Sequence, residues 1–209
     1  MDVQRLSRRT VLVIACIAPW SRLRASPNFL DEKDPAQWSA TEIKKLTTDS
    51  PWAKKIRGYY LPSGRQSAPW SERPWPGNYR ASELYGTALW ESAQPIRNAL
   101  KHSLPKAFDN HYVISVNGLP APSQEELEDL KQFTTMEKMP GGINHAALVN
   151  RREGPNPTVL FGFPKSSLAL PTAGQVEFSG VEFTARLDPL IVKARFNIKR
   201  MLYRRAVAL

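Results

Sequence analysis

His102, Asp109 and His111 bring two imidazoles and a carboxylate within ten residues. Such a set can hold a metal ion or take a proton from a substrate. The spacing is neither HExxH nor HxH, and His102 is equally explained as a basic residue facing the last carbonyls of a helix. His145 falls near an expected loop. Surface and capping roles are therefore adopted for all three, and a histidine-centred hydrolase is kept as the alternative.

A second pair lies in Trp90-Glu91-Ser92-Ala93-Gln94-Pro95-Ile96-Arg97. Glu91 and Arg97 flank a strand-to-helix junction with Pro95 in the first helical turn. They can grip an anion at the helix start, or pair with each other and fix the junction, which is the reading adopted. No GxSxG elbow, GxxxxGK[ST] loop or GxGxxG fingerprint occurs. No catalytic residue, cofactor or metal is expected.

Two surfaces remain for binding. Trp52, Tyr59, Tyr60, Trp70, Trp75, Tyr79, Tyr85 and Trp90 are eight of the twenty aromatic residues. Rings on loops stack on sugars or prolines and anchor partners. Trp70 and Trp75, set among Pro69, Pro74 and Pro76, are the candidates for contact, whereas Trp52 and Trp90 are expected to pin the chain to its core. Lys193, Arg195 and Lys199 alternate along an expected strand and make a basic stripe, which suits an anionic partner or simply a solvated face.

The elements that must position these residues can be read from periodicity. Ser39-Ala40-Thr41-Glu42 and Ser123-Gln124-Glu125-Glu126 have capping-box spacing. The first opens a short helix. The second opens one that keeps helical spacing through Leu127, Leu130 and Met136/Glu137 until Pro140. Ser92 is expected to cap a helix running through Ile96, Ala99 and His102. Residues 87–91, 111–116 and 158–163 read as strands, and strand, helix, strand in that order favours a parallel pair. Residues 51–90 read as a largely irregular arm. After residue 180 apolar and polar positions alternate. Pairing Leu187 with Leu190 sets Ala185 opposite Val192, Phe183 opposite Ala194, Val181 opposite Phe196 and Glu182 beside Arg195. A last strand from Leu202 to Val207 is expected to complete the sheet. The fold class is α+β: a mixed, mainly antiparallel sheet with two or three short helices on one face and a long Pro/aromatic-rich arm. The organisation is a signal peptide (1–25), an amino-terminal helix and arm (26–85) and an α+β domain (86–209).

Basic Met1–Thr10, apolar 11–20 and a small residue at Ala25 have the order of a secretory signal. Ser7-Arg8-Arg9-Thr10-Val11-Leu12 also resembles a twin-arginine export signal. Val13-Ile14-Ala15-Cys16 resembles a lipobox, which would make Cys16 an acylated anchor; Cys16 as one apolar residue of the signal core is preferred. Cleavage after Ala25 removes five arginines and Asp2, lowering the net charge from +10 to +6. The single cysteine excludes an internal disulfide framework, a CxxC pair and a cysteine zinc site. No apolar run reaches the roughly 18 residues of a membrane span.

The octapeptide at 90–97, Tyr112-Val113-Ile114-Ser115-Val116-Asn117-Gly118-Leu119-Pro120, Val159-Leu160-Phe161-Gly162-Phe163-Pro164, Val176-Glu177-Phe178 and 193–201 together resemble an uncharacterised family of small exported bacterial proteins. Asp34-Pro35-Ala36-Gln37-Trp38 and Ser50-Pro51-Trp52-Ala53 would be its amino-terminal part. Members are often labelled GWxTD domain-containing; Trp38 here lacks the preceding Gly. The resemblance implies export and one domain, and no activity. The functional expectation is an exported, periplasmic or extracellular domain that binds an envelope polymer or protein. Nucleic acid is not an expected partner, and a periplasmic hydrolase is the alternative.

Overall fold

The alternation after residue 180 sets the geometry of half the sheet. In the computed structural model, which describes residues 29–60, 84–139, 141–168, 170, 180–187 and 190–209, strands β8 (Gly180–Leu187) and β9 (Leu190–Phe196) pair in the expected register, from Leu187↔Leu190 to Val181↔Phe196. Every second residue of β8 is buried. The expected leader with Cys16, and Trp70 and Trp75, lie outside the described residues.

In chain order, the remaining elements begin with helices α1 (Phe29–Glu32) and α2 (Ala40–Thr48) on either side of a 3-10 turn at Pro35–Gln37. Strands β1 (Ala53–Tyr60) and β2 (Leu84–Trp90) lead to helix α3 (Gln94–Leu100), strand β3 (His111–Asn117) and helix α4 (Leu127–Phe133). Strands β4 (Thr135–Met139), β5 (Ile143–His145), β6 (Leu148–Arg152) and β7 (Thr158–Pro164) precede β8, and a small hairpin of β10 (Leu202–Tyr203) and β11 (Ala206–Val207) follows β9. The α+β class is therefore the observed one.

Nine strands form one sheet in the order β5-β4-β8-β9-β1-β2-β3-β7-β6. Its two end strands are consecutive in the chain, separated by Ala146 and Ala147 alone. Two residues span little more than 10 Å of chain, so the ends of the sheet must meet and the sheet must roll. Ala146 N–H donates to Thr134 O and Ala147 N–H to Gly162 O, fastening this seam to both sides. The rolled interior holds Trp90, Ile114, Phe161, Phe163, Phe183 and Phe196, all essentially inaccessible. Phe161 of β7 meets Phe183 of β8 at 5.5 Å, although four strands lie between them in the sheet order. Each such side chain contributes about 1.5–3 kcal/mol through burial.

The structure corrects several expectations. Every described pairing is antiparallel, including β3 with β7, so the sheet is not mixed. A seven-residue helix such as α4 covers about 10 Å against about 23 Å for a seven-residue strand. It cannot carry the chain back along β3, and β4, β5 and β6 intervene instead. The helix ends at Phe133 rather than running to Pro140, because Met136 is drawn into the core opposite Phe183 while β4 pairs along both flanks. Residues 53–60 are a strand and not part of an irregular arm, with β1 in the middle of the sheet, and the strand expected at 87–91 is present and begins earlier, at Leu84. β10 and β11 form their own ladder, since Arg204 and Arg205 both turn the backbone into the left-handed region. The Ser39–Glu42 capping box is present in full. Ser123 bonds Glu126 as expected, but that turn only precedes α4.

Candidate functional site

Glu91 follows β2 and is the one fully buried carboxylate among the described residues. Its neighbour Trp90 points into the core against Phe196 at 5.2 Å, so strand alternation turns Glu91 to the opposite face. There Oε1 accepts from Arg152 Nη2 at 2.5 Å and bonds His102 Nε2 at 2.8 Å. Burial pushes the Glu91 carboxyl up, but hydrogen bonds from Arg152 and His102 outweigh it and hold it below the ordinary carboxylate value.

Arg97 is therefore not the partner of Glu91. Helix α3 buries Pro95, Ile96 and Ala99, which leaves Arg97 on its exposed side. Arg152 comes from β6, 61 residues away in sequence. A buried carboxylate next to an apolar strand requires a cation, but local sequence cannot name a distant one. His102 likewise binds Glu91 rather than the helix carbonyls, and Ser92 accepts from Val113 N–H at 3.1 Å instead of capping α3, whose N-cap is Ala93. Pro95 sits in the first turn as expected.

The other histidines do not join this cluster into a metal site. His111 opens β3, opposite Pro164, with its ring edge-on to Phe108 at 6.3 Å. Burial, with Lys165 nearby, lowers its pKa. Asp109 is exposed at the turn before β3, and His145 is exposed at the end of β5. Among the described residues no three His, Cys, Asp or Glu side chains gather closely enough to hold a metal. What the Glu91 cluster achieves is mechanical: it ties the end of β2, the segment after α3 and β6 together.

The basic candidates lie elsewhere. Lys193 and Arg195 stand on the outer face of β9, both exposed. Lys193 pairs with Glu182 at 3.3 Å; the expected Glu182–Arg195 neighbours are opposite in register, but the ion pair is the diagonal one. Lys199 is exposed in the 3-10 turn Ile198–Arg200, because the strand ends at Phe196. It does not continue the stripe.

The register brings to this face residues that sequence reading did not place there. β1 lies between β9 and β2, with Tyr59 opposite Ile191 and Arg57 opposite Tyr85. Lys55, Arg57 and Tyr59 share the exposed face of β1. Arg57 lies 5.2 Å over the Tyr59 ring, and the exposures of Tyr59 and Tyr85 are 42% and 62%. The outer face of β9, β1 and β2 thus carries Lys55, Arg57, Lys193 and Arg195 with two tyrosines. The alternation Lys55, Arg57, Tyr59 was the available signal, hidden because 51–90 reads as irregular. Trp52 and Trp90 are fully buried pins, as expected. No family model, no curated protein and no solved structure matches the chain.

Proposed function

We propose that the chain is an exported, non-enzymatic domain that binds an anionic polymer of the bacterial cell envelope through the outer face of β9, β1 and β2. The observation that carries this reading is the grouping of four cations and two exposed tyrosines on one sheet face. Among the described residues no ion pair engages Lys55 or Arg195, so their charge is available to a partner. Cations draw an acidic chain to the surface, and phenol rings offer flat apolar area on which sugar rings stack. The basic leader with its apolar core and Ala25 supplies the export half of the reading. The family resemblance points the same way and adds no activity.

The test is retention of the full chain on an immobilised acidic polysaccharide at low salt. Retention that is abolished by Lys55→Glu with Arg195→Glu supports the proposal. Passage of the unaltered protein through that matrix would sink it, as would tighter retention on immobilised duplex DNA.

A periplasmic hydrolase is the second reading, favoured by one observation. The His102 ring is 39% exposed while its Nε2 is held by a buried carboxylate, an orientation that suits a general base. Hydrolysis of any ester or glycoside by the protein that disappears in His102→Gln would establish it.

A further inference from the structure

An open surface pocket of about 450 Å³ lies between the 3-10 turn Pro35–Gln37, helix α3 and the β10–β11 turn. Asp34, Gln94, Asn98, Lys101, Tyr203 and Arg204 line it. We propose that it binds a small anion bearing hydroxyl groups, of the sugar-phosphate class.

The lining is rich in donors and carries two cations against one carboxylate. Asp34 is already engaged, because its Oδ1 accepts from Ala36 N–H at 2.8 Å. The backbone at both cations is held in an uncommon conformation. Lys101 ends α3 in the left-handed region at φ 55°, its N–H bonded to Arg97 O, where glycine is the usual residue. Arg204 has φ 50° in a two-residue hairpin turn of the kind that favours Asn-Gly. Its N–H donates to Asp31 Oδ1 at 2.9 Å, and its guanidinium lies 5.3 Å over the Tyr203 ring. A non-glycine residue held at positive φ is strained, and here two such residues, both cationic, border one pocket. Between them Asn98 Nδ2 reaches the Tyr203 hydroxyl at 3.4 Å, a weak bond that a ligand oxygen can replace. Cations on two sides grip the anionic group, and the Gln94 and Asn98 amides serve the hydroxyls. The volume falls within the range of small-molecule sites.

The positive φ angles supply a clean test. Lys101→Gly and Arg204→Gly remove each cation while favouring the existing backbone, so the fold is kept or strengthened. Titration of the full chain with a hexose phosphate, followed by calorimetry and by amide chemical shifts, should saturate with shifts centred on Asn98, Lys101 and Arg204. Each glycine variant should weaken binding by about tenfold at unchanged or higher Tm. Absence of saturation overturns the proposal, as do equal affinity for the uncharged hexose and glycine variants that bind normally. Equal affinity for inorganic phosphate overturns the hydroxyl-bearing class of ligand.

Discussion

The indole N–H of Trp52 donates to the carbonyl oxygen of Ala208 at 2.7 Å, across 156 positions of sequence and out of reach of solvent. One side chain at the head of β1 thereby anchors the chain just beyond β11. Trp52→Phe keeps most of the buried ring and leaves the carbonyl without this donor. Its expected cost is about 1–3 kcal/mol in urea unfolding, against about 3–5 kcal/mol for Trp52→Ala. Equal stability of Trp52→Phe and the unaltered protein would show that the bond contributes nothing.

Glu91 makes stability depend on acid. Its folded carboxyl lies below the unfolded value of 4.5, so its contribution is complete above that value and is lost as pH falls through the lower folded one. Glu91→Gln should flatten the fall of the unfolding midpoint with pH below about 4.5. Arg152→Ala leaves the buried carboxylate with His102 alone; because Arg152 is about one-third exposed, about 2–3 kcal/mol is expected rather than the larger loss of a wholly buried pair.

His111 adds a separate acid sensitivity. Its folded pKa lies below 6.5, so the folded state favours the neutral ring, and stability from this group falls as pH drops below 6.5. His111→Gln should remove that part of the pH dependence while leaving the part due to Glu91. Thermal midpoints collected from pH 7.5 to 5 distinguish the two.

Two glycines in adjacent strands should respond unequally to alanine. A Cβ at Gly86 would lie 2.4 Å from the Asn117 carbonyl oxygen and 2.9 Å from Leu119 Cγ, so backbone must move. Gly86→Ala is expected to cost about 1–3 kcal/mol. At Gly58 the nearest atoms are the Leu190 methyls at 3.4 and 3.5 Å, ordinary contacts, and Gly58→Ala should be within about 1 kcal/mol of neutral. Chemical denaturation of the pair checks the contrast.

If the outer face of β9, β1 and β2 is electrostatic in action, its affinity for an acidic polysaccharide must fall with ionic strength. Raising salt from about 0.05 to 0.5 M should weaken binding by at least about tenfold as the Debye length contracts. Tyr85→Ala should lower affinity without changing that dependence. A salt-independent affinity would point to an apolar contact instead.

The β8–β9 register was legible in the sequence because alternation has a period of two, and, of the placements that keep Val181, Phe183, Ala185 and Leu187 on the same face as their partners, the shortest connection is the one that sets Leu187 opposite Leu190. The Ser39–Glu42 cap was legible for a similar reason, since its bonds close within four residues. The parts of Glu91, Arg97 and His102 were not. Which cation neutralises a buried carboxylate depends on which strand arrives beside it, and the rolled sheet brings β6, not the nearby helix side chain. The same rolling made β1 a central strand: residues 53–60 alternate imperfectly and show their strand character only between β9 and β2. Local periods and caps are written within a few residues. The Glu91 clamp, the basic face and the Lys101–Arg204 pocket exist only where distant segments meet, because charge pairing and the grouping of side chains depend on separation in space.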